Sequence, residues 1–183
     1  MNRDQLPPRL AARPFDDRRG LPIPYVSEHD GHVDFAVVNG ARLLDCVRRG
    51  LCSACGQPYE PVLAFIGGPG GFTMRRYTDP PMHLQCADWS LRLCPYLALR
   101  RHRRRGITQR TAAPGFTQME KADPVILATT GGYRLQLAYD DTDPLPGLVF
   151  IPQPWITATR FEYRGGALTE IGPEPIPAPE GMP

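Results

Sequence analysis

The chain has 183 residues, of which 22 are proline and 18 glycine, and it carries a formal net charge of +2. That length can bury a core as one domain or two small lobes, and the proline and glycine content argues against an architecture of long helices. No window approaches the roughly 20 apolar residues of a membrane-spanning helix, and MNRDQLPPRLAARPF at the start lacks the apolar run of a signal peptide, so a cytoplasmic protein without membrane contact is expected.

The small net charge conceals an asymmetry. Residues 1–117 hold 17 basic and 10 acidic side chains, whereas residues 118–183 hold 4 basic and 9 acidic ones. A basic working face beside an acidic lobe is one reading, and unequal sampling of ordinary solvated surface is the other.

Taken in chain order, residues 1–24 mix charge with proline and read as a mobile arm, extended around RGLPIPY. HVDFAVVNG alternates Val33, Phe35 and Val37 before Asn-Gly, the pattern of a strand and turn. ARLLDCVRRG predicts a short amphipathic helix burying Leu43, Leu44 and Val47, with Gly50 at the left-handed stop position. PVLAFIGGPGGFTMRRYT predicts a β-hairpin with Gly67–Gly71 at its tip. DPPMHLQCADWSLRL predicts a helix capped by Asp79 with Pro80 in its first turn, buried through Leu84, Trp89 and Leu91 and ended by Pro95. Residues 106–122 read as a linker. VILATT-GG-YRLQLAY then predicts a hairpin reversing at Gly131-Gly132. GLVFI and WITATRFEYRGGALTEI follow as strands, the latter with a second Gly-Gly reversal, before a proline-rich tail.

Five cysteines between positions 46 and 94 suit metal ligation better than disulfides in a reducing compartment, and their odd number leaves a disulfide framework incomplete. Cys52 and Cys55 flank two residues, a spacing at which the amides of a tight turn face both thiolates, and Gly56 lets the chain turn away sharply. His83 and Cys86 are also two residues apart. On the first turn of the expected helix they would project from one face about 5–6 Å apart, as two ligands of a tetrahedral ion do. One structural Zn2+ on Cys52, Cys55, His83 and Cys86 is the expectation. Cys94, eight residues past Cys86, is the alternative ligand to His83, and Cys46 reads as a core residue. A set of buried free thiols would have to produce both spaced pairs by coincidence.

Four protein ligands leave no open position, so the metal is expected to hold structure and no catalytic residue is assigned. His32-Val33-Asp34 ahead of Cys52 mimics the element order of zinc deaminases, but aspartate stands where they need glutamate and Leu51 where they have proline. Arg100, Arg101, Arg103, Arg104 and Arg105, with Arg75 and Arg76 on the expected hairpin, form a basic set that can take phosphate or an acidic protein surface. The bland reading of the run is a solvated helix end, where cations complement the dipole.

The order of knuckle, β-hairpin and helix over residues 51–94 resembles the treble-clef class of zinc fingers. More broadly, RGLPIPY, LCSACGQP, FIGGPGG, DPPMHLQCADWSLRLCPYL and the Trp155-centred strand resemble an uncharacterised family of tailed phages, prophages and actinobacterial genomes. Its pattern runs Pro-x-Pro near the start, Cys-x-x-Cys-Gly, Pro-Pro-x-His-x-x-Cys-Ala, then Cys-Pro. The resemblance covers residues 19–160 and implies a zinc-binding protein of phage or mobile-element type, with no catalytic role attached.

The sequence thus predicts an α+β fold with a treble-clef-like zinc lobe followed by a small antiparallel β lobe. Its parts are an arm (1–24), the zinc lobe (25–105), a linker (106–122), the β lobe (123–171) and a tail (172–183). The expected role is non-enzymatic binding of another macromolecule, a protein partner first. A nucleic-acid-binding regulator working through Arg100–Arg105 is the main rival and a zinc enzyme the third reading. No small-molecule substrate is indicated.

Overall fold

A computed structural model describes residues 3–29, 32, 33, 35, 37–99, 122–140 and 143–178. The expected linker and the run Arg100, Arg101, Arg103, Arg104 and Arg105 lie outside the described residues. In chain order the elements are α1 (Pro8–Ala11), β1 (Phe15–Asp16), β2 (Leu21–Pro22), β3 (Glu28–His29), β4 (His32–Val33), α2 (Gly40–Arg49), β5 (Leu63–Gly67) and α3 (Pro69–Met74). They continue with β6 (Met82–His83), α4 (Leu84–Leu93), α5 (Pro95–Ala98), β7 (Val125–Thr130), β8 (Tyr133–Asp140), β9 (Asp143–Pro152), β10 (Trp155–Arg164) and β11 (Ala167–Pro173). The fold is α+β and its sheets are antiparallel. No helix among the described residues is long and apolar enough to cross a membrane.

A five-stranded sheet in the order β11-β10-β7-β5-β6 organises the molecule. Strand β5, from the region of the cysteines, pairs with β7 from Leu63↔Thr130 to Gly67↔Ile126, so both regions expected as separate lobes contribute to one sheet. Alternation along the strands sends apolar side chains to both faces. One face carries Phe65, Ile126, Ala128, Trp155 and Ala158, packed against Phe72 of α3, Tyr77 and Phe150 of β9. The other carries Ala64, Val125, Leu127, Phe161 and Tyr163 beneath Ala87 and Leu91 of α4.

Trp155 centres the first face. Its ring stacks on Phe72 at 5.5 Å and meets Phe65 and Tyr77 edge-on, and its Nε1–H donates to the Phe72 carbonyl at 3.1 Å. Trp155→Phe removes the indole donor, leaving the Phe72 carbonyl only the Arg75 amide at 3.4 Å, and opens space beside it. The expected cost is about 2–3 kcal/mol, read as a lower urea midpoint at unchanged m-value.

Several local expectations are met. Helix α2 stops at Gly50 with φ +64°, as expected, while its start falls at the expected turn: the Asn39 side chain accepts from the amides of Ala41 and Arg42. Of its expected apolar face, Leu43 and Val47 reach the core while Leu44 stays 45% exposed. Strands β10 and β11 reverse at Gly165-Gly166, both with positive φ, across Arg164↔Ala167, the backbone that a two-residue primed turn requires.

Others are corrected. The hairpin expected around Gly67–Gly71 is a strand followed by α3, because Pro69 suits a first helical turn, and β5 pairs with β6 beyond that helix. Asp79 caps no helix. A residue before proline is pushed to extended backbone, so the Pro80-Pro81 pair stays extended and α4 begins only at Leu84, which is 46% exposed. The reversal at Gly131-Gly132 does not pair β7 with β8. Both edges of β7 are taken by β5 and β10, and β8 pairs with β9 in a separate ribbon. In the expected arm, Leu6, Leu10 and Ile23 are buried. Among the described residues of the expected strand over 32–37, His32–Val33 form a strand.

Candidate metal centre

The knuckle is a tight turn in which the Gly56 amide donates to the Cys52 carbonyl at 2.8 Å and the Cys52 amide to Gln57 at 2.9 Å. Two segments hold it from outside. The Tyr25 and Val26 amides donate to the carbonyls of Ala54 and Ser53. Ser53 in turn donates from its amide to Pro81 at 3.1 Å and from Oγ to Pro80 at 2.9 Å. The buried Pro80-Pro81 pair is therefore hydrogen-bonded to the knuckle, and it delivers the next residues to the two thiols.

His83 stands at the cap position of α4 with φ −62° and ψ 147°, and Cys86 lies in the first turn of that helix. The pair is thus presented by a strand end and a helix start, where the sequence suggested one helical face. Free amides at a helix start favour an adjacent thiolate. The ligand atoms of Cys52, Cys55, His83 and Cys86 all lie within 4.8 Å of one another, and the four residues are buried. His83 Nδ1 is 3.4 Å from Cys55 Sγ and 3.8 Å from Cys86 Sγ. Its Nε2 lies 2.8 Å from the Pro58 carbonyl, an outer partner that fixes ring orientation and leaves Nδ1 to ligate. The His83 amide donates to Cys52 Sγ at 3.4 Å.

The protonation chemistry agrees with this geometry. Burial opposes ionisation of Cys52, but hydrogen bonds from Cys55, Cys86 and His83 outweigh it and hold its thiol far below the ordinary range. By donating to Cys52, Cys55 is pushed up to about 11 and Cys86 well above its usual value. The same hydrogen bond to Cys52 raises His83. A cation entering this group would displace protons from its thiols. Cys46 differs: burial above all pushes its thiol up to about 12, and it sits with Tyr25, Val26 and Leu51 in the core.

Sequence reasoning missed what covers the site. Leu6 and Leu10 pack on Cys52, Cys55 and Cys86, and Arg9 of α1 forms an ion pair with Glu60 just beyond the knuckle. The only signal was the spacing of two leucines around Pro7-Pro8, too short for a periodicity argument. Cys94 lies outside the group of four. It closes α4, half-buried, and lines an apolar cavity of about 70 Å³ with Leu10, Ile23 and Leu93. Arg75 and Arg76 are half-buried. Arg75 ends α3 in a left-handed conformation, and Arg76 donates to Gln136 Oε1 at 3.3 Å.

Fold and site together define an α+β protein in which four residues from a knuckle and a helix start lie close enough to bind one metal ion. No protein-family model matches the chain, and comparison with curated proteins and with solved structures gives no match.

Proposed function

We propose that the Cys52–Cys55–His83–Cys86 group holds one Zn2+ as a structural site, and that the chain is a non-enzymatic protein that binds another macromolecule. The observation that carries the reading is the convergence of three sulfurs and one nitrogen, all buried, beneath Leu6 and Leu10. Zinc takes sulfur at about 2.3 Å and nitrogen at about 2.0–2.1 Å, so a tetrahedral site has S···S and S···N edges of about 3.8 and 3.6 Å. The separations of 3.4 and 3.8 Å from His83 Nδ1 match the latter edge. The chain order of knuckle, antiparallel β5–β6 pair and α4 supports a treble-clef-like arrangement, with α3 inserted between its strands.

With all four positions filled by protein, the metal has no place for a reacting water. Its contribution is to shape, and the function lies on the surface held in shape. A phage or mobile-element setting follows from the motif resemblance alone. Metal analysis of the purified chain tests the core of the reading: one zinc per chain is expected, lost in Cys52→Ser/Cys55→Ser. Stoichiometric zinc retained in that double variant overturns it. Duplex DNA binding with a steep salt dependence, abolished by replacing Arg100, Arg101, Arg103, Arg104 and Arg105 with glutamate, would instead make nucleic acid the macromolecule bound.

A further inference from the structure

Strand β8 reads Tyr-Arg-Leu-Gln-Leu-Ala-Tyr-Asp over Tyr133–Asp140, eight residues without proline, glycine or lysine. One edge pairs with β9 from Tyr133↔Pro152 onward. The far side of β9 is met by Tyr77, whose amide and carbonyl both bond to Phe150. Among the described residues no strand pairs with the other edge of β8. Alternation sets Tyr133, Leu135, Leu137 and Tyr139 on one face. Tyr133 packs at the core against Phe65 and Phe150. Beyond it, exposure climbs with distance from the core, to 39% at Leu135, 51% at Leu137 and 79% at Tyr139.

Long apolar edges are usually blunted by lysine or proline, because their unpaired amides and carbonyls template another strand. Strand β8 has neither, and its pairing with β9 runs in regular register from Tyr133 to Ala138 before shifting between Ala138 and Asp140. Here the sequence around the edge is complementary to itself. Leu135 and Tyr139 stand two residues either side of Leu137, and Arg134 and Asp140, of opposite charge, stand three either side. We propose that this edge of β8, which no described strand covers, pairs antiparallel with the same edge of a second copy of this chain, about a twofold axis at Leu137.

In that register Leu137 faces Leu137 and Leu135 faces Tyr139, on one side of the joined ribbon. Arg134 stands in register with position 140, an aspartate in the sequence. The twofold makes each contact occur twice, and opposite-charge and aromatic–aliphatic cross-strand pairs are favourable. Charge selects this register. A twofold at Gln136 would set Arg134 against Ala138, and one at Arg134 would set arginine against arginine. Any extended peptide could pair with an edge that no described strand covers, but a second copy supplies the matching charge and the matching apolar side chains together. The proposal does not depend on which metal, if any, the cysteines hold.

Sedimentation velocity on the full chain tests it, at concentrations up to about 100 µM because a single strand pair buries less than the roughly 1,200 Å² of a standard interface. A concentration-dependent dimer is expected. Leu137→Arg, which sets two like charges at the axis, is expected to leave a monomer with the wild-type melting curve. Arg134→Asp should weaken the dimer at least about tenfold, and Arg134→Asp/Asp140→Arg should restore it. A monomer at every concentration overturns the proposal. So does a dimer indifferent to Leu137→Arg, or a charge swap that fails to restore what Arg134→Asp removed.

Discussion

Cys52→Ser or Cys86→Ser is expected to leave a chain that neither retains zinc nor melts cooperatively at room temperature. Structural zinc contributes about 10–16 kcal/mol of apparent binding energy in finger peptides, against about 5–15 kcal/mol of net stability for a whole domain. If the group holds zinc as proposed, loss of the ion removes a contribution comparable to the whole net stability. The connectivity around the site says where the loss would be felt. The knuckle bonds to Tyr25 and Val26 on one side and to Pro80 and Pro81 on the other, and Leu6 and Leu10 pack on its sulfurs. Untying it releases the N-terminal segment, the start of α4 and strand β6 together.

Circular dichroism with parallel metal analysis checks this, and a strong chelator at neutral pH should have the same effect on the wild-type chain. Cys94→Ser is the control and should keep one zinc. The pH direction follows from the ligand chemistry. Thiolates and a neutral imidazole bind metal, so acidification protonates the ligands and releases it, and holo-protein should lose structure on acidification while regaining it with zinc at neutral pH. A Cys52→Ser variant that melts with the wild type would show that the ion does not hold the fold.

The second large effect is expected at Gly56. Its φ of +73° is a conformation that costs an L side chain about 1–2 kcal/mol. A Cβ there would also stand 2.6 Å from Tyr25 Cδ2 and 2.9 Å from Cγ. The Tyr25 ring is not free to yield. Its hydroxyl donates to Asp45 and accepts from Arg42 at 3.1 Å, the guanidinium groups of Arg13 and Arg42 lie over its ring, and its amide is bonded to Ala54. Strain and overpacking together should cost about 2–4 kcal/mol and speed zinc loss to a chelator. Gly165→Ala separates the two terms. Gly165 also has positive φ, +59°, but nothing lies within 4 Å of its Cβ position, so only the strain of about 1 kcal/mol is expected. Equal costs at both positions would remove Tyr25 from the account.

Much of the candidate site was legible because its signals are short. Two cysteines separated by two residues and followed by glycine describe one turn, and that turn forms as read. The histidine and its cysteine were also identified, but their placement was not: Pro80-Pro81 is extended, so His83 stands before the helix and contributes from a strand end. Gly50 and the Gly165-Gly166 pair were readable for the same reason, since a positive φ is a property of one residue's own backbone.

What could be read locally, then, was the chemistry of single turns: which cysteines and histidine gather in one group, the glycine stop of α2 and the β10–β11 reversal. Tertiary structure alone decided which strands meet. Gly131-Gly132 looks like a hairpin tip, yet β7 pairs with β5, some sixty residues earlier, and with β10, because its six residues are all buried and a central position covers both faces and both edges. The same competition for apolar cover drew Leu6 and Leu10 onto the cysteines and left the outer edge of β8 unpaired among the described residues. A turn is settled by forces acting across a few bonds. A strand's partner is settled by how much apolar surface each arrangement removes from water, a comparison that involves residues the local pattern never contains.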